Sequence, residues 1–445
     1  TFGTNDKTAL LVGIGLTIAV LAALLGILAL RRLVVAQGGV VVLGLVAAAA
    51  ALTRPGASGL DVVPALLAAA AGAIALSRLV QPVDVTEEGA LDRRGFLTAA
   101  VVVGGAAAVS GGIGRSLLGG RVDTAASRAA VHLPQPVAAT PPPAGTDLRV
   151  DGLSPFRTPN PDFYRIDTAL VVPQLTTKDW RLRVHGMVER ELTLTFDQLL
   201  ARGLVEHDVT LACVSNEVGG DLVGNARWLG APLKDLLEEA GVQPGATQLL
   251  SRSQDGMTIG TPVEVVMDGR AALLAVGMNG EPLPVEHGFP VRMVVPGLYG
   301  YVSATKWVVD LELTTFDAVD PYWVKRGWAP RGPVKTAARI DTPGSSSRAP
   351  GRVPVAGVAW AQHRGIATVE VRVDGGPWHE AELGQVPSAD TWVQWVWMWD
   401  ATPGTHTLQA RATDKTGQTQ PETRVPPFPD GATGWHTVVV PVSGG

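Results

Sequence analysis

Thr210-Leu211-Ala212-Cys213-Val214-Ser215-Asn216 is the stretch on which the reading of this chain turns. It holds the only cysteine among 445 residues, so the thiol has no internal partner for a disulfide. An alternating run, His207 to Ala212, leads into it, and a polar, glycine-rich loop, Ser215 to Gly224, follows. One reading of such a cysteine is a small buried hydrophobe at a strand end. The other is a ligand. A strand that feeds a loop is where folds present reactive groups, and a thiolate is a soft anionic donor suited to a transition metal.

The surrounding residues favour the second reading. Cys213-Val214-Ser215-Asn216, followed by Asn225-Ala226-Arg227-Trp228-Leu229-Gly230-Ala231-Pro232-Leu233, resembles the cofactor segment of the sulfite oxidase family of molybdenum enzymes. A longer match runs from Met278-Asn279-Gly280-Glu281-Pro282 through His287-Gly288-Phe289-Pro290-Val291-Arg292 and Tyr299-Gly300-Tyr301 to Thr305-Lys306-Trp307. The resemblance covers roughly Pro155 to Val442. It implies molybdenum with molybdopterin as cofactor and Cys213 as the metal ligand. It also places Asn160, Phe163, Tyr164 and Arg165, in a proline-bounded turn, against the cofactor. Asp255, His287, Arg292, Ser303, Ala304, Thr305 and Lys306 complete the implied cradle, since a pterin carries a phosphate and polar ring edges that want planar donors and cations.

Two departures bear on substrate. Sulfite-oxidising members have arginines shortly after the metal-binding cysteine, where this chain has Glu217 and Val218. They also have a tyrosine close to the metal, and Lys325 stands in the comparable stretch Trp323 to Trp328. Arg165 is retained, and Lys325, Arg326 and Arg364 are candidates to rebuild a positive pocket. The expected catalytic set is therefore Cys213, Arg165 and Lys325, acting on a small anionic or oxo-bearing molecule.

Working outward, the first 118 residues read as a membrane domain. The runs 8–30, 33–52 and 60–80 are uncharged or nearly so and long enough to cross a bilayer core. A fourth span, 96–118, follows Asp92-Arg93-Arg94-Gly95-Phe96-Leu97-Thr98, which looks like a twin-arginine export signal. Arginines at 31 and 32, and at 78, 93 and 94, mark cytoplasmic joints by the positive-inside rule. That puts Thr1 and the catalytic domains on the extracytoplasmic side of the cytoplasmic membrane, and it suggests a segment missing before Thr1. The first histidine is His132, so the spans offer no imidazole pair to a haem. Their role is anchoring.

Residues 119–152, rich in Pro, Ala, Thr and Gly, read as an extended tether. From 153 to 340, short β-like runs alternate with amphipathic helices, an α+β domain. From 351 to 445 four alternating runs, with a turn at Asp374-Gly375-Gly376, suggest an immunoglobulin-like β-sandwich. That domain resembles the dimerisation domain of the family, which implies a homodimer. Trp395, Trp397 and Trp399 share one face of a strand, as core or as a partner surface, with Trp392 just before them.

The whole chain is expected to be a membrane-anchored, multi-domain molybdopterin oxidoreductase. It would carry out two-electron oxygen-atom transfer and exchange electrons with a cytochrome or respiratory-chain partner. The alternatives are a reductase of sulfoxide-like substrates and a low-activity structural subunit of a respiratory complex. The net charge of −5 suggests no nucleic-acid partner.

Overall fold

Uncharged runs rich in Leu, Ala and Val fold as helices because a backbone in lipid must satisfy its own polar groups. The computed structural model describes residues 4–53, 59–80, 101, 105 and 123–443. Its first unit, residues 2–123, contains α1 (Thr4–Ala29), α2 (Leu33–Leu52) and α3 (Val63–Val80). Three stretches in it, Lys7–Ala29, Leu33–Leu52 and Gly59–Arg78, are long and apolar enough to cross a membrane, with mean hydropathies of 2.7, 2.3 and 1.9. Most of their Leu, Ile and Val side chains face outward. The α2–α3 contact is built on small residues. A Cβ on Gly44 would stand 2.3 Å from that of Ala69, and Gln37 Nε2 donates to Ser77 Oγ at 2.6 Å. The arginine pair and, but for Val101 and Gly105, the fourth expected span lie outside the described residues.

The second unit, residues 124–445, carries all the strands described. In chain order these begin β1 (Ala138–Ala139), β2 (Arg181–Gly186), β3 (Leu192–Thr195), β4 (Val205–Ala212), β5 (Val223–Pro232) and β6 (Gln248–Ser253). They continue β7 (Thr258–Pro262), β8 (Leu273–Met278), β9 (Glu281–Pro282), β10 (Arg292–Val294) and β11 (Val308–Thr314). One sheet has the order β1-β4-β5-β8-β10, with β9 on β8, and the other β3-β2-β11-β6-β7. Pairing is antiparallel apart from β1 on β4 and β11 on β2. Helices form at Phe196–Leu200, under a Thr195–Gln198 capping box, and at Leu233–Ala240.

Beyond these follow β12 (Ala337–Thr342), β13 (Gly351–Trp360), β14 (Ile366–Val373), β15 (His379–Glu380), β16 (Glu382–Leu383), β17 (Val393–Ala401), β18 (Gly404–Asp414) and β19 (His436–Val442). They make two sheets, β12-β13-β17-β16 and β15-β14-β18-β19. One apolar cluster draws on both, from Val355 and Trp395 to Val371 and Leu408. Trp395 and Trp399 are buried in it and Trp397 packs against it, so this face of β17 is core; Trp392 is buried in a neighbouring cluster.

The segment expected as a free tether behaves otherwise. Arg128 donates to the carbonyls of Leu283 and Pro282 and to the Glu281 carboxylate. Val137 N–H reaches Leu204 O at 2.8 Å, and β1 pairs with β4. Residues 124–150 are therefore laid along the rest of the second unit. The physical reason is an open strand edge: β4 presents N–H and C=O groups that need partners, and β1 covers its beginning.

Beyond β1 the same edge is covered by the C-terminal sheets. Thr210 N–H donates to Asp390 O at 3.0 Å, Gln362 Nε2 to Thr210 O at 3.0 Å, and Trp392 N–H to Thr210 Oγ1 at 2.7 Å. The strand that ends at Cys213 is thus clamped on both edges, with β5 on the other.

Candidate functional site

Cys213 follows β4 directly and is buried. Its N–H donates to Leu222 O at 2.9 Å, which closes the loop between β4 and β5. Asn216 fixes the turn: its N–H donates to Cys213 O at 3.1 Å, and its Oδ1 accepts from Leu222 N–H at 2.9 Å. Burial pushes the Cys213 thiol pKa up, opposed by hydrogen bonds from the Ser215 backbone and hydroxyl. Those donors favour the thiolate once a cation is near.

The turn at 160–165 packs against the same sheet. Phe163 stands edge-on to Trp228 and to His287, with ring centroids 5.8 and 5.7 Å apart, and stacks on Tyr164 at 5.2 Å. Gly224 allows this: a Cβ there would come within 2.8 Å of the Phe163 ring. Burial and the Cys213 thiol raise the Tyr164 pKa, and the Arg292 guanidinium opposes them. Asn160 is buried; its Nδ2 donates to Glu281 Oε1 at 2.5 Å and its Oδ1 accepts from Asn279 Nδ2 at 2.9 Å.

The third wall comes from residues 285–306. His287 is 3% exposed, and its Nε2 is 3.1 Å from Asn160 O. A carbonyl only accepts, so Nε2 carries the proton and Nδ1 is left as an acceptor. Burial, then Arg292 and Lys306, push the His287 pKa down to about 4, so the ring is neutral near pH 7. Gly288, at φ 114°, packs its Cα against Arg292 and Lys306; a Cβ would meet Arg292 Cβ at 3.0 Å.

Two buried cations stand here on different terms. Lys306 Nζ donates to Asp167 Oδ2 at 2.7 Å and to Glu286 O at 3.2 Å. Burial still lowers its pKa to about 8. Arg292 is 5% exposed and, among the described residues, has no carboxylate within ion-pair distance. It donates to His287 O at 3.1 Å and lies 4.9 Å from the Trp228 ring centroid. Burial lowers its pKa to about 10, and it remains charged. A buried guanidinium without an acid costs several kcal/mol unless an anion arrives.

The remaining expected residues fall into place unevenly. Arg165 pairs with Asp167 at 3.0 Å, so Asp167 holds both Arg165 and Lys306. Asp255 accepts from Thr168 Oγ1 and Met257 N–H, both at 3.3 Å. Thr305 is fully buried, its Oγ1 2.6 Å from Ser251 Oγ, and its carbonyl accepts from Met293 N–H. Ser303 Oγ donates to the Leu298 and Tyr299 carbonyls, so its side chain supports the backbone. Ala304 packs at the edge of the apolar cluster that holds Phe163 and Trp228. Lys325 lies exposed on the short helix Val324–Arg326, and no described hydrogen bond or ion pair brings its ammonium to Cys213. Arg364 is committed to Asp414 at 2.8 Å.

Three contributors escaped the sequence reading as site residues. Trp228 supplies the aromatic face for Arg292, and Tyr299 feels the Cys213 charge. Both stand inside the quoted motifs, which was their only signal. Asp167 had none beyond its place two residues after Arg165.

Residues 169–323 match a family model described as oxidoreductase molybdopterin binding domain. The mitochondrial sulfite oxidase of Homo sapiens is 31% identical over 367 residues, 70% of this chain and 66% of that protein. The uncharacterized oxidoreductase YuiH of Bacillus subtilis is 33% identical over 153 residues, 34% of this chain and 74% of that protein. The crystal structure of the sulfane dehydrogenase SoxCD from Paracoccus pantotrophus aligns with a TM-score of 0.53 and 26% identity, over 62% of this chain and 80% of that one. The chain spans 52% of the length of the Drosophila melanogaster sulfite oxidase and 66% of the human one, so half to two thirds of these relatives.

Proposed function

The chain belongs to the sulfite oxidase family of molybdopterin oxidoreductases, and from that premise we propose a two-electron oxygen-atom transfer beside Cys213. The observation that carries the reading is Arg292, buried and charged with no acid among the described residues. An anionic tail is what such a cation lacks, and the phosphate of molybdopterin provides one. Among the described residues no cluster of three His, Cys, Asp or Glu could hold a metal by itself. A metal that arrives with its own dithiolene ligands needs one protein donor, and the donor set fits that need: one thiol, Cys213, with Ser215 donating to its sulfur.

Arg292 would hold the phosphate, with Lys306 and Arg165 fixed nearby by Asp167. Asn160, neutral His287 and Asp255 would meet the polar edges of the pterin, with Ser303, Ala304 and Thr305 supporting the backbone around it. When bound, molybdenum supplies the two-electron oxo-transfer chemistry. The protein residues hold and orient. Phe163, Trp228 and Phe289 keep water from the cradle, so its charges act at low dielectric. Tyr164, whose pKa is raised, keeps its proton and stays a neutral donor under the influence of Cys213 and Arg292. Lys325 would act from the rim, where it can attract an anion.

The rest of the reading concerns placement. The apolar helices would anchor the chain in the cytoplasmic membrane, with a fourth span delivered by the twin-arginine pair. The catalytic unit would face the extracytoplasmic side and pass electrons to a cytochrome or other respiratory carrier. The two C-terminal sheets would form an immunoglobulin-like sandwich that supports a homodimer. A second reading, reduction of sulfoxide-like substrates, is favoured by Glu217 and Val218, which stand where sulfite-oxidising members have arginines.

Metal and pterin analysis tests the leading reading. Purified full-length protein should carry about one molybdenum and one pterin per chain, and Cys213→Ser should lose the molybdenum. A cofactor-competent host that yields protein without stoichiometric molybdenum would sink it and leave the structural-subunit alternative.

A further inference from the structure

The loop that follows Cys213 is closed on itself by short bonds. Cys213 N–H meets Leu222 O, Asn216 N–H meets Cys213 O, and Gly220 N–H donates to Glu217 O at 2.9 Å. Gly220 also packs its Cα on the Asn216 amide: a Cβ there would stand 2.6 Å from Asn216 Oδ1. These contacts give the loop its shape. Across from it lie the C-terminal sheets, separated by a cleft with room for little more than a water. Glu217 is the one carboxylate in that lining, and no Lys, Arg or His lines it. The cations around it are committed elsewhere: Lys335 pairs with Asp430 at 2.9 Å and Arg364 with Asp414. Arg424, whose Cα abuts Gly434, is exposed and outside the lining.

The sheets reach the tip of the loop at two points. The first is Arg339, on β12. Its Nη1 donates to Gly220 O at 2.9 Å. The rest of the guanidinium is anchored: Nε pairs with Asp341 at 2.6 Å, and Nη2 donates to Ser154 Oγ at 2.9 Å. Asp341 in turn accepts from Ser154 N–H at 3.0 Å. The Arg339 and Asp341 side chains are 11% and 7% exposed, so the fork is held in one orientation. The second point is His436, on β19. Its Nδ1 accepts from Ile340 N–H at 2.9 Å. A backbone N–H only donates, so Nδ1 is bare and the proton sits on Nε2. That nitrogen abuts Gly219, at φ 81°, where a Cβ would collide with it. The imidazole thus occupies the place that a side chain at 219 would take. Burial and Arg339 hold its pKa down to about 4, so the ring is neutral near pH 7 and adds no charge to the loop.

From the tip, a short path leads to the cysteine. Arg339 holds Gly220 O, Gly220 rests on the Asn216 amide, and Asn216 N–H holds Cys213 O. A thiolate that is the one protein donor to a metal has its direction set by its own turn, because no second ligand corrects it. We propose that Arg339 and His436 are positioning residues, through which the C-terminal sheets aim the Cys213 sulfur at the metal. The inference rests on the oxidoreductase reading above and adds to it the residues that govern the ligand.

Two conservative variants of the detergent-solubilised, full-length protein test it. Arg339→Lys keeps a cation for Asp341 and gives up the fork that reaches Gly220 O. His436→Asn keeps an acceptor for Ile340 N–H and withdraws the ring from Gly219. Val371→Ala is the control: it thins the apolar core of the same sheets, and no described bond or cluster joins it to the loop. In cofactor-loaded protein, both variants should retain molybdenum and shift the g values of the paramagnetic molybdenum signal seen on partial reduction with dithionite. Val371→Ala should leave that signal as it is in the unaltered protein. In cofactor-free protein, from a host that makes no molybdopterin, iodoacetamide should alkylate Cys213 about tenfold faster in Arg339→Lys, because a charge-assisted hydrogen bond that held the turn closed is lost. Cys213 is the only cysteine, so the mass of the alkylated chain reads that site alone. Unmoved g values and an unmoved alkylation rate, or changes matched by Val371→Ala, overturn the proposal, while stoichiometric molybdenum in the unaltered protein leaves the oxidoreductase reading standing. An unaltered protein without molybdenum overturns both.

Discussion

The cradle around Arg292 and the cleft around Glu217 adjoin the same cysteine turn and are built in opposite ways. In the cradle, Arg292 is buried without an acid, and Arg165 and Lys306 share the single carboxylate Asp167. In the cleft, every neighbouring Arg or Lys named above except exposed Arg424 is already paired, and the charge left over is a carboxylate. The contrast teaches that local balance decides what a site can hold. A net charge of −5 says nothing about it. The cradle is short of negative charge; the cleft has a carboxylate, Glu217, in its lining and no Lys, Arg or His.

The largest effect should come at the residue both regions adjoin. Cys213→Ser should cost turnover about a hundredfold or more, since loss of even the outer partners of a metal ligand commonly costs 10–100-fold. The pterin should stay, because Arg292 and Lys306 are untouched; pterin fluorescence beside molybdenum content checks this.

The next test separates the two cations. Lys306→Met removes the buried ammonium from Asp167, which keeps Arg165, and should destabilise the cofactor-free protein by up to about 3 kcal/mol, the low end for loss of one member of a buried pair. Arg292→Met removes a charge with no acid partner and should be neutral, or stabilising by about 1–4 kcal/mol, while pterin retention is lost. Chemical unfolding of both variants without cofactor gives the signs. Equal destabilisation would mean that Arg292 has an internal anion after all.

Acidity sharpens the comparison further. His287 titrates at about 4 in the fold against an ordinary 6.5. Its contribution to stability is fully present above about pH 6.5 and is lost as pH falls towards 4, because the unfolded chain takes up the proton first. The difference corresponds to about 3 kcal/mol. His436, held down to about 4 by burial and Arg339, acts in the same direction. A bound phosphate would raise the His287 value, so the thermal midpoint should fall more steeply with acid in the cofactor-free protein than in the loaded one. The smallest effect belongs to the cleft: Glu217→Gln, at an exposed position, should leave stability within about 0.5 kcal/mol. A larger change would mean that Glu217 braces the Cys213 turn.

The sequence disclosed whatever is local. Apolar runs gave the three described helices, because a bilayer span needs only length and hydropathy. Alternation marked His207 to Ala212, and the strand there runs Val205–Ala212. The resemblance named Asn160, Tyr164, His287, Arg292 and Lys306, and His287 does meet both Asn160 and Arg292. What stayed hidden depends on distant pairs. Asp167 meets Lys306 across 139 residues, and no periodicity reports that. The cleft draws its walls from 212–219, 299, 337–360 and 420–434, so its charge pattern exists only after folding. Residues 124–150 looked like a tether because proline and alanine carry no pattern, while the edge of β4 that binds them lies some seventy residues further on.

The grip of the C-terminal sheets on Thr210 has a consequence for anyone who would dissect the protein. Trp392 and Gln362 supply partners to the backbone and hydroxyl three residues before the sulfur, and Trp392 Nε1 also donates to Phe156 O at 2.8 Å. A fragment cut near residue 342 would leave the last turn of that strand frayed and its thiol free to wander. The Cys213 turn is in this sense shared property, and a fragment that keeps its strand clamped must retain Gln362, Asp390 and Trp392.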